Sequence, residues 1–464
     1  MFRSIFNTFG NCVKIPELKS RIFFTLGVLA VARLIAWIRI PGLDGNALHN
    51  YFATHSQSGG GVLGLYNTFA GGALEHCAMG TLGIMPYISA TIIIQLLTAV
   101  WPKLSKLARE EGGRAKIIQY GRYLTVLLCI VQGAFFAHGW VNPEKLFPGI
   151  GRPLILDLDH IYWYYIQTVL IMTTATMLLM WLGEQITERG IGNGISLIIT
   201  IGILARLPQM VTGFRDMFFP VGGGENHAHL FGTGAVMVLL LVGVVAGVIA
   251  VTQAQRKIPV QYAQRAVGRK MYSGGTSFMP LKVNYAGVMP IIFAQSILMF
   301  PQPIFLGLGN YFTQPFLKNL CLGIAQALNP GSVPYLTFYA LMILFFSYFW
   351  VATQFNEIQI ADDLKKNGGY IPGVRPGQGT SDYLHKAMSR ITLAGAIFLT
   401  VIATIPTILS KEMNIPQSVA QFFGGTSVLI SVGVLLDTMR QIESHLMMRH
   451  YDGFLKKGRV RGRF

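Results

Sequence analysis

Ile84 and Ile88 stand four residues apart, as do Ile195 and Ile199, so each pair shares one helical face. Branched apolar side chains that converge at the centre of a bundle form a dry constriction. Such a constriction blocks ions by dewetting and still yields to a larger chain. Isoleucine has no polar group with which to select a cargo. The same spacing also describes an ordinary packing or lipid-facing stripe, and residue types alone do not separate the two.

Other chemistry is hard to find. No G-x-x-x-x-G-K-[ST] loop offers to cradle a nucleotide phosphate, and neither H-E-x-x-H nor G-x-S-x-G occurs. Gly190, Gly192 and Gly194 in RGIGNGIS do not fit G-x-G-x-x-G. Cys12, Cys77, Cys129 and Cys321 lie far apart without a C-x-x-C pair, so they read as small apolar fillers. Ionisable groups near span centres are scarce, Arg33 being the main one. That scarcity weakens an ion-coupled transporter, which needs intramembrane carboxylates or histidines. An intramembrane hydrolase would need a facing nucleophile and base, and no credible pair is present.

The elements that would position these residues are membrane helices. The chain has 464 residues, of which 52% are apolar and only 12% charged. Soluble domains carry about 25% charged residues. Apolar runs predict ten spans at 22–38, 78–100, 117–139, 161–184, 194–212, 231–252, 284–304, 336–354, 390–410 and 420–437. The first reads as an uncleaved span. The run 59–76 is too short to cross and directly precedes the second span, which suits a re-entrant half-helix surrounded by protein or a water cavity. Gly243 and Gly247 suit close helix packing.

Charge sets the orientation. Of 37 Lys and Arg residues, 28 fall on the side of the two termini, 6 on the opposite side and 3 (Arg33, Arg122, Arg206) within spans. Both termini are therefore expected in the cytoplasm. The net charge of +17 is concentrated partly in two long loops, 253–283 and 355–389. Arg256, Lys257, Arg265, Arg269, Lys270 and Arg375 there could dock RNA phosphate or an acidic protein, or only fix topology.

The second span carries Gly83-Ile84-Met85-Pro86 and the seventh Gly287-Val288-Met289-Pro290. Such Gly/Pro-interrupted segments at matching places mark a transport path between inverted repeats. Each proline is expected to kink its helix one turn back, near Leu82 and Ala286, as a moving gate or a static bend. Gln95, Asn193, Asn284, Gln295 and Ser296 would form either a polar seam or ordinary interhelical hydrogen bonds.

PELKSRIFFTLGVLAVARL, AGGAL followed by GIMPYISATIIIQLLT, WLGEQITERGIGNGIS, QRKIPVQYA, PLKVNYAGVMPIIFA, DDLKKNGGYIPGVRPGQGT and FGGTSVLI together resemble the SecY family of protein translocases over essentially the whole chain. The resemblance implies an all-α polytopic protein. Its ten transmembrane helices form two inverted five-helix halves, 22–212 and 231–437, between cytoplasmic ends 1–21 and 438–464. It implies a pore ring of Ile84, Ile88, Ile195, Ile199, Ile292 and Ile430. A plug near 61–73 would include Leu65, Asn67, Phe69, Gly71 and Gly72. A lateral gate between the second and third and the seventh and eighth spans would be lined by Gln95, Gln295 and Ser296.

The implied function is passive passage of unfolded secretory polypeptides across a bacterial plasma membrane, with apolar segments released sideways into lipid. No cofactor or catalytic residue is implied. The implied partners are SecE, SecG, the SecA motor ATPase and the ribosome, docking at Arg256, Lys257 and Arg375. Two departures stand out: Glu75-His76-Cys77 where the family often has Ser-Arg, and Gln295 in place of a small gate residue.

Overall fold

A computed structural model describes residues 15–55, 61–110, 112–143, 147, 150, 153–156, 160–218, 227–262, 265–267, 270–272, 275–312, 314–412 and 425–457. Eight stretches among them are long and apolar enough to cross a membrane. They are Met79–Val100, Gly113–Val141, Ile161–Arg189, Gly194–Gly213, Gly234–Gln253, Met289–Gly309, Val333–Lys366 and Gln378–Ile405. The first predicted span falls mostly in a further helix, and the described part of the last in another, with 420–424 outside the described residues. Helix α1, Pro16–Ile35, carries Lys19, Arg21 and Arg33, and the final helix, Thr426–Lys457, carries Asp437, Arg440 and Glu443. Their polar residues, not their length, keep them below the apolar threshold of the other eight. Large side chains such as Phe23, Trp181, Leu239 and Leu341 point outward from this bundle, as helices immersed in lipid require.

After α1 come α2 (Gly45–His55), the short α3 (Gly61–Phe69), a 3-10 turn (Met79–Leu82) and α4 (Met85–Val100). Next are α5 (Pro102–Arg109), α6 (Gly113–Val141), α7 (Ile161–Arg189), α8 (Gly194–Leu204), α9 (Leu207–Phe218) and α10 (His227–Gln253). Strands β1 (Gln255–Tyr262), β2 (Arg265–Val267), β3 (Lys270–Tyr272) and β4 (Thr276–Lys282) follow. The remainder is α11 (Met289–Met299), α12 (Pro301–Tyr311), α13 (Pro315–Ala327), α14 (Val333–Gln354), α15 (Glu357–Lys366), β5 (Gly369–Tyr370), α16 (Gln378–Glu412) and α17 (Thr426–Lys457). The apolar 305–335 stretch thus holds a helical hairpin, α12 packed on α13.

The proline reading needs correction. Pro86 and Pro290 do not kink helices; they occupy the first turn of α4 and α11. There a missing N–H costs nothing and the fixed φ suits the helix. The two sites share one geometry. Gly83 and Gly287 have φ of +57° and +63°, a region glycine enters freely. The following residues, Ile84 and Val288, sit at φ −97°, ψ 1° and φ −93°, ψ −3°. The sequence echo is therefore a structural one, and α4 packs against α11.

The RGIGNGIS turn returns α7 into α8 at very close range. A Cβ on Gly194 would collide with the Gly183 carbonyl, and Gly192 holds φ +90°. Asn193 caps α8 by accepting from the Ser196 N–H at 3.3 Å. Thr187 Oγ1 accepts from the Gly194 N–H at 2.9 Å. Of the proposed glycine pair in α10, Gly247 lies against Phe398 and Ile402 of α16, whereas Gly243 has nothing near it.

The loop 253–283 is not irregular. It forms a three-stranded antiparallel sheet of order β4-β1-β5, in which β5 comes from the other long basic loop. Ile258 and Val260 point inward while Lys257 and Pro259 point out. Ile258 and Leu281 share an apolar cluster with Phe355, Ile371, Leu384 and Met388. The two loops are thus one lobe.

That pairing is testable by crosslinking. Gln261 and Tyr370 are register partners, and antiparallel partners stand ~4.5–5.5 Å apart at Cα, within disulfide reach. Gln261→Cys with Tyr370→Cys, in a chain carrying a protease site between the loops, should hold both fragments together after oxidation and cleavage. Separation of the fragments would contradict the shared sheet.

Candidate functional site

Helix α3 is the re-entrant segment the sequence predicts. It lies against α8 and its Leu65, Asn67 and Phe69 are buried, as are Gly71 and Gly72. Gly71 and Gly72 turn the chain with φ of +68° and +86°. Gly71 sits close against Gly202 of α8. The turn closes through the Gly72 N–H on the Asn67 carbonyl at 2.8 Å.

Polar side chains hold this segment. Asn67 is fully buried; its amide donates to Glu75 Oε2 at 2.9 Å and its Oδ1 accepts from the Glu75 N–H at 3.2 Å. The Glu75 carboxylate also accepts from Arg206 Nη2 at 2.9 Å and Gln209 Nε2 at 3.2 Å. Arg206 Nη1 donates to Thr68 Oγ1 at 3.1 Å, and Arg33 Nη1 donates to the Gly71 carbonyl at 3.1 Å. Two arginines that sequence reading places inside spans thereby become clasps for α3. Their signal was present as intramembrane charge, which is costly unless paired. Its partner, Glu75, was visible only as a departure from the family pattern.

His76 follows Glu75. Its imidazole pKa is held below the usual value, chiefly by burial, with His49, Arg39 and Arg206 adding to the effect against the opposing pull of Glu75. The neighbouring Cys77 thiol is pushed up to about 12 by burial, so it stays protonated and inert. Cys129 and Cys321 are buried too, which fits the filler reading; Cys12 lies outside the described residues.

Five of the six isoleucines lie in one core cluster, and Ile195 packs against it. Ile84, Ile88, Ile199, Ile292 and Ile430 are buried. Ile84 precedes α4 rather than lying in it, yet its carbonyl accepts the Ile88 N–H at 3.2 Å, so the shared face survives. Ile195 differs: it is in the first turn of α8, half-buried, with its side chain against Gly183 of α7. The carrying helices touch in sequence, α4 with α11, α11 with α17 and α17 with α8. Between this apolar set and the end of α3 lies a cavity of about 30 Å³, lined by Phe69, Ala70, Ile84, Ile199, Gly202 and Arg33. That is room for a water or two.

The polar seam residues part ways. Gln95 is half-buried on α4. Ser296 is fully buried and donates to the Ile292 carbonyl of its own helix at 2.7 Å. Gln295 is 4% exposed and its Oε1 has no hydrogen-bond partner among the described residues, nor does Ser89 Oγ on α4. Asn284 donates to the Gly287 carbonyl at 3.0 Å. Arg256, Lys257 and Arg375 are all exposed on the sheet lobe; Arg269 lies outside the described residues.

The model for the SecY family matches residues 79–439. This chain belongs to the SecY family. It is 44% identical to the protein translocase subunit SecY of Chlamydia trachomatis, over 98% of this chain and 99% of that protein. Identity to the Escherichia coli SecY is 42%, over 96% of each. Among solved structures it resembles one reported for the SecY plug domain and closed state, with TM-score 0.60 and 18% identity over 95% of this chain and 94% of the other. Another, reported as a protein-conducting channel, gives TM-score 0.55 and 18% identity over the same shares. The chain is thus a multi-pass helical membrane protein.

The clasp makes a stability prediction. Removing one partner of a buried ion pair costs ~3–5 kcal/mol. Glu75→Ala and Arg206→Ala should each lower the unfolding temperature in detergent, and the double variant should cost clearly less than the sum. Additive losses would contradict direct coupling.

Proposed function

We propose that this chain is the central pore-forming subunit of the Sec translocon in a bacterial plasma membrane, with both termini cytoplasmic. It passes unfolded secretory polypeptides and releases apolar segments sideways into the bilayer. The observation that carries this reading is a short clasped helix, α3, packed beside a core that holds the isoleucines. Such a waist selects no cargo, and dewetting seals it against ions.

A signal sequence enters between α4 and α6 on one side and α11 and α14 on the other. Gln95, Gln295 and Ser296 lie along that seam. The unsatisfied Gln295 and Ser89 oxygens support a seam that opens, because unpaired buried polar groups gain partners when the helices part. The plug, with Leu65, Asn67, Phe69, Gly71 and Gly72, then leaves its seat. Ile84, Ile88, Ile195, Ile199, Ile292 and Ile430 close around the extended chain. Apolar segments move into lipid because burying apolar surface is favourable.

The chain performs no chemical step and supplies no energy. The SecA motor ATPase or a translating ribosome pushes, docked on the lobe that carries Arg256, Lys257 and Arg375, while SecE and SecG complete the membrane complex. One structural neighbour is Sec61 in a canine ribosome–channel complex, which supports a ribosome among these partners.

Photo-crosslinkers at Ile88 and Ile292 should each capture a stalled secretory chain, and one at the outward-facing Leu239, 74% exposed, should not. Equal capture at Leu239, or none at either isoleucine in an active complex, would reject the waist. Arg375→Glu should cut motor-driven export severely while leaving membrane insertion of the channel itself intact. Normal export would remove Arg375 from the docking surface.

A further inference from the structure

His49, Glu75 and His76 converge beside the hinge that leads from α3 into the 3-10 turn, each offering one ligand atom, and all three atoms lie within 4.8 Å of one another. We propose that they bind a divalent transition-metal ion of the zinc class. Two imidazoles and a carboxylate are a donor set such ions accept, with water completing four-coordination.

The geometry is close to what coordination needs. His76 Nε2 and Glu75 Oε1 are 3.6 Å apart. Two ligands bound at 2.0–2.2 Å to a tetrahedral ion stand about 3.4 Å apart, so this pair already straddles a metal position. The His49 ligand atom lies within 4.8 Å of the other two, and the residue is exposed on α2.

The surroundings hold the other two ligands in place. The His76 ring stacks on Trp37 and on His49, each at 5.3 Å between centroids. Glu75 Oε2 is occupied by Asn67 and Arg206, and Oε1 by Gln209. A carboxylate oxygen has two acceptor positions, so Oε1 keeps one free, and it faces His76. Outer contacts of this kind orient metal ligands.

Positive charge opposes the ion. Arg39 and Arg206 both act on His76. Arg206 is countered by Glu75 at 2.9 Å, and Arg39 donates to Asn46 Oδ1 at 3.2 Å. These cations weaken the site relative to an uncharged shell without removing any of its ligands. The rival arrangement is a stack of neutral rings with no ion, and binding separates the two.

The site stands apart from what the channel carries, because it is read optically with no translocation. The complex with its partner subunits, purified through a handle free of histidine and stripped with a chelator, is titrated with cobalt(II). A visible d–d band should saturate at one ion per chain and bleach when zinc is added. Apparent affinity should fall at least about tenfold in His49→Ala and in His76→Ala, and stay unchanged in His138→Ala, whose ring instead meets Tyr165 at 3.1 Å. His49 is exposed, so its variant keeps the fold, as a matching unfolding temperature will show. No band in the wild-type complex, or the same band in both site variants, overturns the proposal.

Discussion

Backbone that leaves a helix at membrane depth must find its hydrogen bonds inside the protein, because lipid offers none. The segment 61–84 is such an excursion, and the architecture around it answers that demand. The chain there bonds to itself at Gly72 and Ala78, and to the end of α1 through Ile40, which donates to the Cys77 carbonyl, and Met79, which donates to the Ile38 carbonyl. Arg33 supplies the donor for the Gly71 carbonyl. The Asn67 side chain accepts the Glu75 N–H and donates to the Glu75 carboxylate. The one buried carboxylate in the cluster is in turn matched by Arg206, because an unpaired buried charge is far costlier than a paired one.

On the proposed reading, the polar clasps and the isoleucine waist do complementary work: side chains with no directional preference let the isoleucine-bearing helices separate and re-form around different contents. The clasp is directional, and it specifies one resting position for α3 against α8. A seal made only of apolar contacts would tolerate many plug positions. One made only of polar contacts would bind cargo.

Much of this was legible beforehand. The helical runs are long and strongly apolar, and their chain order followed from hydropathy alone. The Gly-x-Met-Pro echo was visible, but its meaning was not: proline looks like a helix breaker until the preceding glycine is seen to end one segment, which makes proline an initiator. The sheet lobe was missed because charge dominated the reading of 253–283. The alternation of apolar Ile258 and Val260 with Lys257, Pro259 and Gln261 was the available signal. The clasp was missed for a different reason. Arg33, Glu75 and Arg206 are far apart in sequence, and only tertiary packing brings the spans of two of them to the hinge of the third. Ile195 sits in the first turn of α8, where the span read at 194–212 places it, and what the sequence did not show is that Gly183 and Gly194 let α7 and α8 touch there.

The central claim is that the clasp keeps α3 seated over the isoleucine waist. The most direct measurement is single-channel current through the resting complex in planar bilayers. Wild-type complex should be silent, and Glu75→Gln, which keeps the shape of the side chain but removes the charge that anchors Arg206, should show frequent openings. A folded Glu75→Gln complex as silent as the wild type would contradict the account.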